Sequence, residues 1–235
     1  MPNPITQALS ESWTLITNAD TDLLSVLALS LQVSLSATLI AGVLGMVLGV
    51  LLATIPFMGR TALISLLNTL LGLPSVVVGL LVYILLSRAG PLGSWGLLFT
   101  PTAMVIAQSI LITPLVAALS RQAISQTWQE IAPLLQSLRL PRWRIAITLL
   151  GQTRWALVTI MLTAFGRAIS EVGAVIIVGG NIAGVTRVMT TSIALETSKG
   201  EISFALALGF ILLATVLVIN VCAVWIKRDH EFAAQ

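Results

Sequence analysis

Long uncharged stretches dominate the pattern of polar and apolar positions along the chain. Crossing the roughly 30 Å hydrocarbon layer of a membrane takes about 20 helical residues, and several intervals between charged residues are at least that long. We place five spans at residues 23–59, 61–87, 89–120, 155–178 and 202–226, with the first helix running from Leu24 to about Thr54. The pattern therefore predicts an all-α, polytopic membrane protein with five transmembrane helices, and we treat residues 1–235 as a single transmembrane domain.

Prolines and small residues predict kinks and close packing within these spans. Pro74 and Gly79 predict a kink in the second helix and Pro114 one in the third, because proline removes a backbone donor and clashes with the preceding turn. Glycines in and after the fourth span, at positions 173, 179 and 180, allow close approach of backbones. The first helix carries a ridge of small residues at every fourth position: Ala41, Gly45 and Gly49. We expect that ridge to pack within the chain.

Composition excludes several classes of protein. The chain is 57% hydrophobic and 9% charged, against about 25% charged residues in soluble domains. Cys222 is the only cysteine and His230 the only histidine, so we expect no metal site and no catalytic centre in this chain. Neither lysine lies in a phosphate-binding Gly-x-x-x-x-Gly-Lys motif. The net charge of +3 is small and scattered, which gives no basis for nucleic-acid binding.

The distribution of basic residues predicts the orientation in the membrane, because Lys and Arg are enriched in cytoplasmic loops. One side of the predicted topology holds Arg60, Arg121, Arg139, Arg142, Arg144, Arg154, Lys227 and Arg228. The other side holds Arg88, Arg187 and Lys199. We therefore expect the N-terminus outside and both the 121–154 loop and the C-terminus in the cytoplasm. Residues 1–22 lack both basic residues and an apolar core, so we expect that they are not a cleaved signal peptide.

The 121–154 loop is too long and too apolar to be a simple connection. Apolar residues at helical spacing predict an amphipathic helix over residues 125–138, namely Trp128, Ile131, Leu134, Leu135 and Leu138. Pro133 either kinks this helix or begins a new one, and Pro141 ends it. Arg142, Trp143 and Arg144 follow as a basic and aromatic cluster. The segment either lies on anionic lipid or inserts into a groove on a cytosolic partner.

The same loop resembles the cytoplasmic coupling loop of ATP-binding cassette importer permeases, in which a Glu-Ala-Ala segment is followed by glycine and later by Leu-Pro. Glu130 and Ala132 match the start of that signature, with Ile131 at the middle alanine. In a second register, residues 138–143 lie over the family's Leu-Gly-Ala-Ser-Arg-Trp run, with Arg139 at the glycine. The resemblance implies contact with an ATPase through Glu130, Ala132, Leu134, Leu135, Leu138, Arg142 and Trp143.

Residues 164–209 carry a more specific resemblance. This segment is similar to the fourth span and following loop of permeases in the molybdate, sulfate and tungstate branch, which share an Arg, a Glu four residues later and a Gly-Asn after the span. Arg167, Glu171 and the Gly180–Asn181 pair match those positions. The sequences Thr186-Arg187 and Met189-Thr190-Thr191 look most like the tungstate permeases, and residues 73–80 resemble the second span of the branch.

Candidate site residues follow from their chemistry. An ionisable residue inside a span costs roughly 2.5 to 3.5 kcal/mol on insertion scales, so Arg167 and Glu171, one helical turn apart, are expected to pair. The pair either fixes helix packing or, with Ser170, lines or gates a path for an anion. On the outward loop, Asn181, Thr186 and Arg187 offer donors for an oxyanion or for a delivering protein. They could equally cap helices.

Energetics and the resemblance together imply partners. Moving a dianion inward against the membrane potential costs about 4.6 kcal/mol per 100 mV, so we expect two cytosolic ATPases to bind ATP and Mg²⁺ for this chain. Five helices are too few to enclose a path, and we expect a homodimer of the type I importer permease fold. An extracytoplasmic binding protein would deliver the oxyanion, tungstate foremost, across a bacterial or archaeal cytoplasmic membrane. The alternatives are molybdate or sulfate as cargo, and a stand-alone secondary anion transporter.

Overall fold

The computed structural model describes residues 4–18, 21–138 and 140–233. Within these ranges every regular element is a helix, which confirms the all-α prediction for the described part of the chain. A short 3-10 turn spans Gly93–Trp95. The α-helices are α1 (Pro4–Thr17), α2 (Thr21–Thr54), α3 (Arg60–Leu71), α4 (Ser75–Leu86), α5 (Pro101–Ser137), α6 (Arg142–Gln152), α7 (Arg154–Ile169), α8 (Gly173–Gly179), α9 (Met189–Lys199) and α10 (Ile202–Ala233).

Three helices, α2, α5 and α10, are long and apolar enough to cross a membrane by themselves. Two sharply bent pairs, α3 with α4 and α6 with α7, raise the number to five if each pair is counted as one span. The described part of the chain is therefore all-helical with three to five candidate membrane spans, and the number five stays a prediction. The sequence analysis did not predict α1, which precedes the first apolar stretch.

The predicted second span is two helices. Helices α3 and α4 meet at an angle of 103° across the break at residues 72–74. Pro74 stands immediately before α4 in an extended conformation, where it needs no helical donor and disfavours helix in the residue before it. The predicted break at Pro74 is thus confirmed. Gly79 lies inside α4, where it provides a packing surface, and the kink predicted at this position stays a prediction.

The predicted fourth span is also interrupted. A single helix over residues 155–178 is wrong, since α7 ends at Ile169 and α8 begins at Gly173. The carbonyl groups released by this break are bonded by distant side chains. The Gln108 amide donates to the Ala168 carbonyl at 3.0 Å, and the Thr190 hydroxyl donates to the Glu171 carbonyl at 2.8 Å. An interrupted helix is tolerated in an apolar segment only where its backbone groups find such partners.

The predicted separate helix at residues 125–138 is instead the continuation of α5. This helix runs without a break from Pro101 to Ser137, through both Pro114 and Pro133, so a new helix starting at Pro133 is wrong. The exposed position of Pro133 and of Gln129, four residues before it, lets water bond the carbonyl that the proline leaves without a donor. The chain turns before Pro141, as predicted, and α6 begins at Arg142. Arg139 lies outside the described residues.

The chain forms two compact units, each built from three separate stretches. The first comprises Met1–Ala37, Pro74–Gln108 and Gly166–Val218, and the second comprises Thr38–Leu73, Ser109–Phe165 and Ile219–Gln235. Because each unit gathers distant parts of the sequence, neither is a sequence-contiguous domain. The prediction that residues 1–235 act as a single domain stays a prediction.

The predicted small-residue ridge on α2 packs inside the second unit, as expected. A Cβ atom added to Gly45 would lie 2.6 Å from the Val116 side chain, and one added to Gly49 would lie 2.8 Å from Ser120. The ridge therefore lets α2 and α5 approach closely. Nearby, an apolar cluster joins α2, α5 and α6 through Val50, Ala53, Ile124 and Leu149.

Candidate functional site

The predicted charge pair lies at the break between α7 and α8, with Arg167 in the last turn of α7 and Glu171 in the break itself. A nitrogen of the Arg167 guanidinium lies 3.4 Å from a carboxylate oxygen of Glu171, which confirms the pairing. The two side chains differ in environment, since Arg167 is 56% exposed and Glu171 only 6%. The second Glu171 oxygen accepts the backbone N–H of Ala174 at 3.3 Å. Glu171 is thus fixed from two sides, whereas the guanidinium keeps half of its surface free.

Ser170, the third predicted path residue, is exposed at the same break. Its hydroxyl donates to the carbonyl of Gly166, one turn back, at 2.9 Å. This bond uses the hydroxyl proton and leaves the Ser170 oxygen able to accept a further hydrogen bond. The structure therefore brings Arg167, Ser170 and Glu171 to one place, with two of the three side chains accessible.

Close packing between α4 and α8 surrounds the break on its α8 side. Helix α4 packs on α8, and a Cβ atom at Gly79 would lie 2.7 Å from the Cα atom of Ala174. At Gly173 an added Cβ would meet the Ser75 hydroxyl at 2.5 Å. At Gly180, which has a φ of +70°, it would meet the ring of Phe99 at 2.8 Å. The close approach predicted for the fourth-span glycines is confirmed, whereas the part played by Gly79 was missed.

The loop between α8 and α9, residues 180–188, is held by hydrogen bonds that use two of the predicted binding residues. Thr186 is fully buried; its hydroxyl donates to the Gly179 carbonyl at 2.5 Å and accepts the N–H of Ile182 at 3.0 Å. Asn181, at a positive φ of 51°, accepts the Thr191 hydroxyl at 2.9 Å. The polar groups of these residues therefore already have partners inside the chain. Their predicted contact with an oxyanion or a delivering protein stays a prediction.

Arg187 lies differently, in a cavity of about 320 Å³ within the first unit. Its Nε atom is buried without a hydrogen-bond partner, and so is the hydroxyl of the fully buried Ser192, which lines the same cavity. The cavity is also lined by three carboxylate residues that the sequence analysis did not single out, Asp22, Glu196 and Glu201. They come from α2, from α9 and from the residue before α10, so spacing along the sequence gave no sign that they would meet.

The charge balance of this cavity bears on what it can bind. Glu196 is paired with Lys199 at 3.0 Å, and Asp22 also has a partner within the chain. Nowhere in the described ranges do three or more His, Cys, Asp or Glu side chains converge well enough to hold a metal ion. A free dianion would meet several carboxylates here, whereas polar side chains of a docking protein could satisfy both the Arg187 donor and the Ser192 hydroxyl.

The predicted coupling residues divide into exposed and buried groups. Leu134, Leu138 and Trp143 are exposed to 62%, 58% and 60%, but Leu135 is only 4% exposed. Glu130 and Arg142 are also exposed, and Ala132 is half-buried. Trp128 and Ile131, predicted to share the apolar face, pack on the cluster that joins α2, α5 and α6. The predicted apolar face is therefore partly the chain's own core and partly free surface.

These features define a helical, multi-pass membrane protein with an interrupted, charged span. Residues 45–230 match the family described as "Binding-protein-dependent transport system inner membrane component", and the chain belongs to this family. A probable anion ABC transporter permease protein from Haloferax volcanii is 42% identical over 205 residues, which cover 85% of this chain and 88% of the relative.

Two further relatives are more specifically named. The tungstate uptake system permease protein TupB of Peptoclostridium acidaminophilum is 46% identical over 66% of this chain and 68% of the relative. The protein of the same name from Campylobacter jejuni is 39% identical over 69% of this chain and 68% of the relative. The predicted resemblance to the molybdate, sulfate and tungstate branch of ABC importer permeases is confirmed.

Proposed function

We propose that this chain is the permease subunit of an ATP-driven importer of tungstate and forms the translocation path as a homodimer. The observation that carries the proposal is the similarity to two tungstate uptake permeases at 46% and 39% identity. The interrupted span is consistent with it, because broken helices with ionisable residues recur where membrane proteins bind or pass ions. Molybdate and sulfate are tetrahedral dianions like tungstate and are the alternative cargoes.

In this proposal the chain crosses a bacterial or archaeal cytoplasmic membrane five times, with the N-terminus outside. The bent pairs α3–α4 and α6–α7 then each count as one span. Eight basic residues against three support a cytoplasmic location for residues 121–154 and for the C-terminus.

Energy is supplied by the partners. The chain has no phosphate-binding lysine motif, so two cytosolic ATPases bind ATP and Mg²⁺, and this subunit is not itself catalytic. The exposed residues Glu130, Leu134, Leu138, Arg142 and Trp143 supply the contact with these ATPases. Ala132, which is half-buried, lies at the edge of this contact surface, and the buried Leu135 packs beneath it and stabilises it.

Arg167 is the residue that we assign to the anion path. Its guanidinium is anchored at one nitrogen by the buried Glu171 and is otherwise accessible. An accessible, oriented cation lowers the energy of a dianion in a low-dielectric path. Ser170 offers a hydroxyl oxygen beside it, and Glu171 fixes the orientation of the guanidinium. In the homodimer the two copies of this break face the common path.

Arg187 is the residue that we assign to the external binding protein. The unsatisfied Arg187 Nε and Ser192 hydroxyl in the outer cavity provide hydrogen-bonding groups for a docking side chain. Asn181 and Thr186 contribute by holding the loop that presents Arg187.

The experiment that tests the proposal is uptake by the assembly reconstituted in liposomes, with tungstate, molybdate and sulfate in competition. We expect ATP-dependent uptake that needs the permease, the ATPase and the binding protein, with tungstate preferred. Full uptake by this chain alone would show a stand-alone transporter and refute the coupling. Preference for sulfate would refute the assigned cargo while leaving the assembly intact.

A further inference from the structure

A groove of about 350 Å³ opens beside the C-terminal end of α2, within the second unit. Its walls are apolar and include Leu51 from the last turn of α2, Ile55 just after that helix, and Ile145 and Ala146 from α6. Arg142 and Trp143, the first two residues of α6, also line it, and both are exposed. The groove thus combines an apolar interior with a cationic and aromatic entrance.

In the topology proposed above, the groove lies at the cytoplasmic end of the first span, because it is beside the last turn of α2. Helix α2 has 34 residues, which gives a length of about 51 Å, well beyond the roughly 30 Å of the hydrocarbon layer. Leu51 lies in the last turn of α2, and Ile55 follows the end of that helix at Thr54, so in the proposed topology both lie where the first span leaves the hydrocarbon layer. An apolar recess at that depth is open to lipid.

The charge at the entrance is positive. The Arg142 side chain is exposed, and the Arg144 guanidinium lies 5.2 Å from the centre of the Trp143 ring, in cation–π range. Among the described residues no carboxylate lines the groove. Tryptophan and arginine together at a membrane boundary are typical of contact with phospholipid head groups.

We propose that this groove binds an anionic phospholipid, with one acyl chain against Ile145 and Ala146 and the phosphate at Arg142. A protein helix docked in a groove needs a row of anchor sites along several turns, and this groove is a single recess between helices. The charge at the entrance complements an anionic head group and gives no preference for a zwitterionic one. The proposal does not depend on which oxyanion is carried, but it rests on the membrane topology proposed above, and it gives Arg142, which the proposed function also places in the ATPase contact, a second partner.

The test counts lipids retained by the full-length chain, purified with its ATPase, from nanodiscs of phosphatidylcholine alone or mixed with phosphatidylglycerol. Native mass spectrometry reads the number and type of lipid bound. We expect the wild type to retain phosphatidylglycerol selectively, and the double variant R142Q/R144Q to weaken that retention roughly 30-fold.

R142K/R144K, which keeps the charge, should retain the lipid and so controls for folding. R88Q, at an exposed turn that is not among the residues lining the groove, should behave as the wild type.

A second variant tests the apolar part of the groove. Ala146→Phe fills the floor and should reduce retention of phosphatidylglycerol although both arginines are present, while the matched change Ala89→Phe at an exposed site should not. Equal retention of the two lipids by the wild type would overturn the proposal. So would full retention by R142Q/R144Q or by Ala146→Phe. Loss of the ATPase from Ala146→Phe with unchanged lipid would assign the groove to the ATPase and also overturn it.

Discussion

The contact between α4 and α8 gives the sharpest test of the structure, through Gly79→Ala. The added Cβ would lie 2.7 Å from the Cα atom and 3.1 Å from the carbonyl oxygen of Ala174. Both are backbone atoms, so no side-chain rotation relieves the clash and the two helices must separate. Overpacking of this kind lowers the free energy of unfolding by about 1 to 3 kcal/mol, and the better helix propensity of alanine offsets about 1 kcal/mol of that loss. We therefore expect the free energy of unfolding to fall by about 1 kcal/mol.

The assay is thermal unfolding of the detergent-purified chain, alongside the control Gly209→Ala. Gly209 lies in α10, in the same unit, and an added Cβ there would meet no heavy atom within 4 Å. The control therefore gains helix propensity without a clash. We expect Gly79→Ala to lower the melting temperature by about 2 to 4 °C and Gly209→Ala to raise it or leave it unchanged. A Gly79→Ala protein that melts at or above the wild-type temperature would refute the close packing of α4 on α8.

Three further changes probe the site and the coupling surface. Arg167→Ala should lower ATP-driven uptake at least tenfold while the ATPase still copurifies, and unchanged uptake by folded protein would reject a role in the path. Leu134→Glu, at an exposed position, should release the ATPase without changing the melting temperature of the chain. Leu135→Glu, at a buried position, should lower the melting temperature itself. The same result for both variants would contradict the division of this surface into exposed and buried residues. Thr186→Val removes a buried hydroxyl that both donates and accepts a hydrogen bond. We expect the free energy of unfolding to fall by about 1 to 3 kcal/mol. An unchanged free energy of unfolding, measured by calorimetry, would argue against these two hydrogen bonds.

Several features could be predicted because local chemistry determines them. The bounds of α2 follow from one uninterrupted apolar stretch, and the structure begins and ends that helix at Thr21 and Thr54. Arg167 and Glu171 were expected to pair because four residues make one helical turn, and they do. Small residues at Gly45 and Gly49 were expected to pack inside the chain, since such ridges permit close helix approach.

The helix breaks were harder to predict. The break after Ile169 depends on hydrogen bonds from Gln108 and Thr190, which are far away along the sequence. Helix α5 passes Pro133 because that position is exposed, and exposure is a property of the packed chain. No local pattern could show either fact.

The amino-acid sequence by itself determined that this chain is a helical membrane protein, where its apolar stretches lie and that Arg167 and Glu171 pair, because hydropathy and helical spacing act over a few residues. The tertiary structure decided which of the chemically similar candidates are free to act. In the folded chain the Thr186 hydroxyl donates to the carbonyl of Gly179, whereas the Nε atom of Arg187 is buried in a cavity without a hydrogen-bond partner. It buried Leu135 and exposed Leu134. The physical reason is that burial and hydrogen bonding depend on segments brought together from distant parts of the chain.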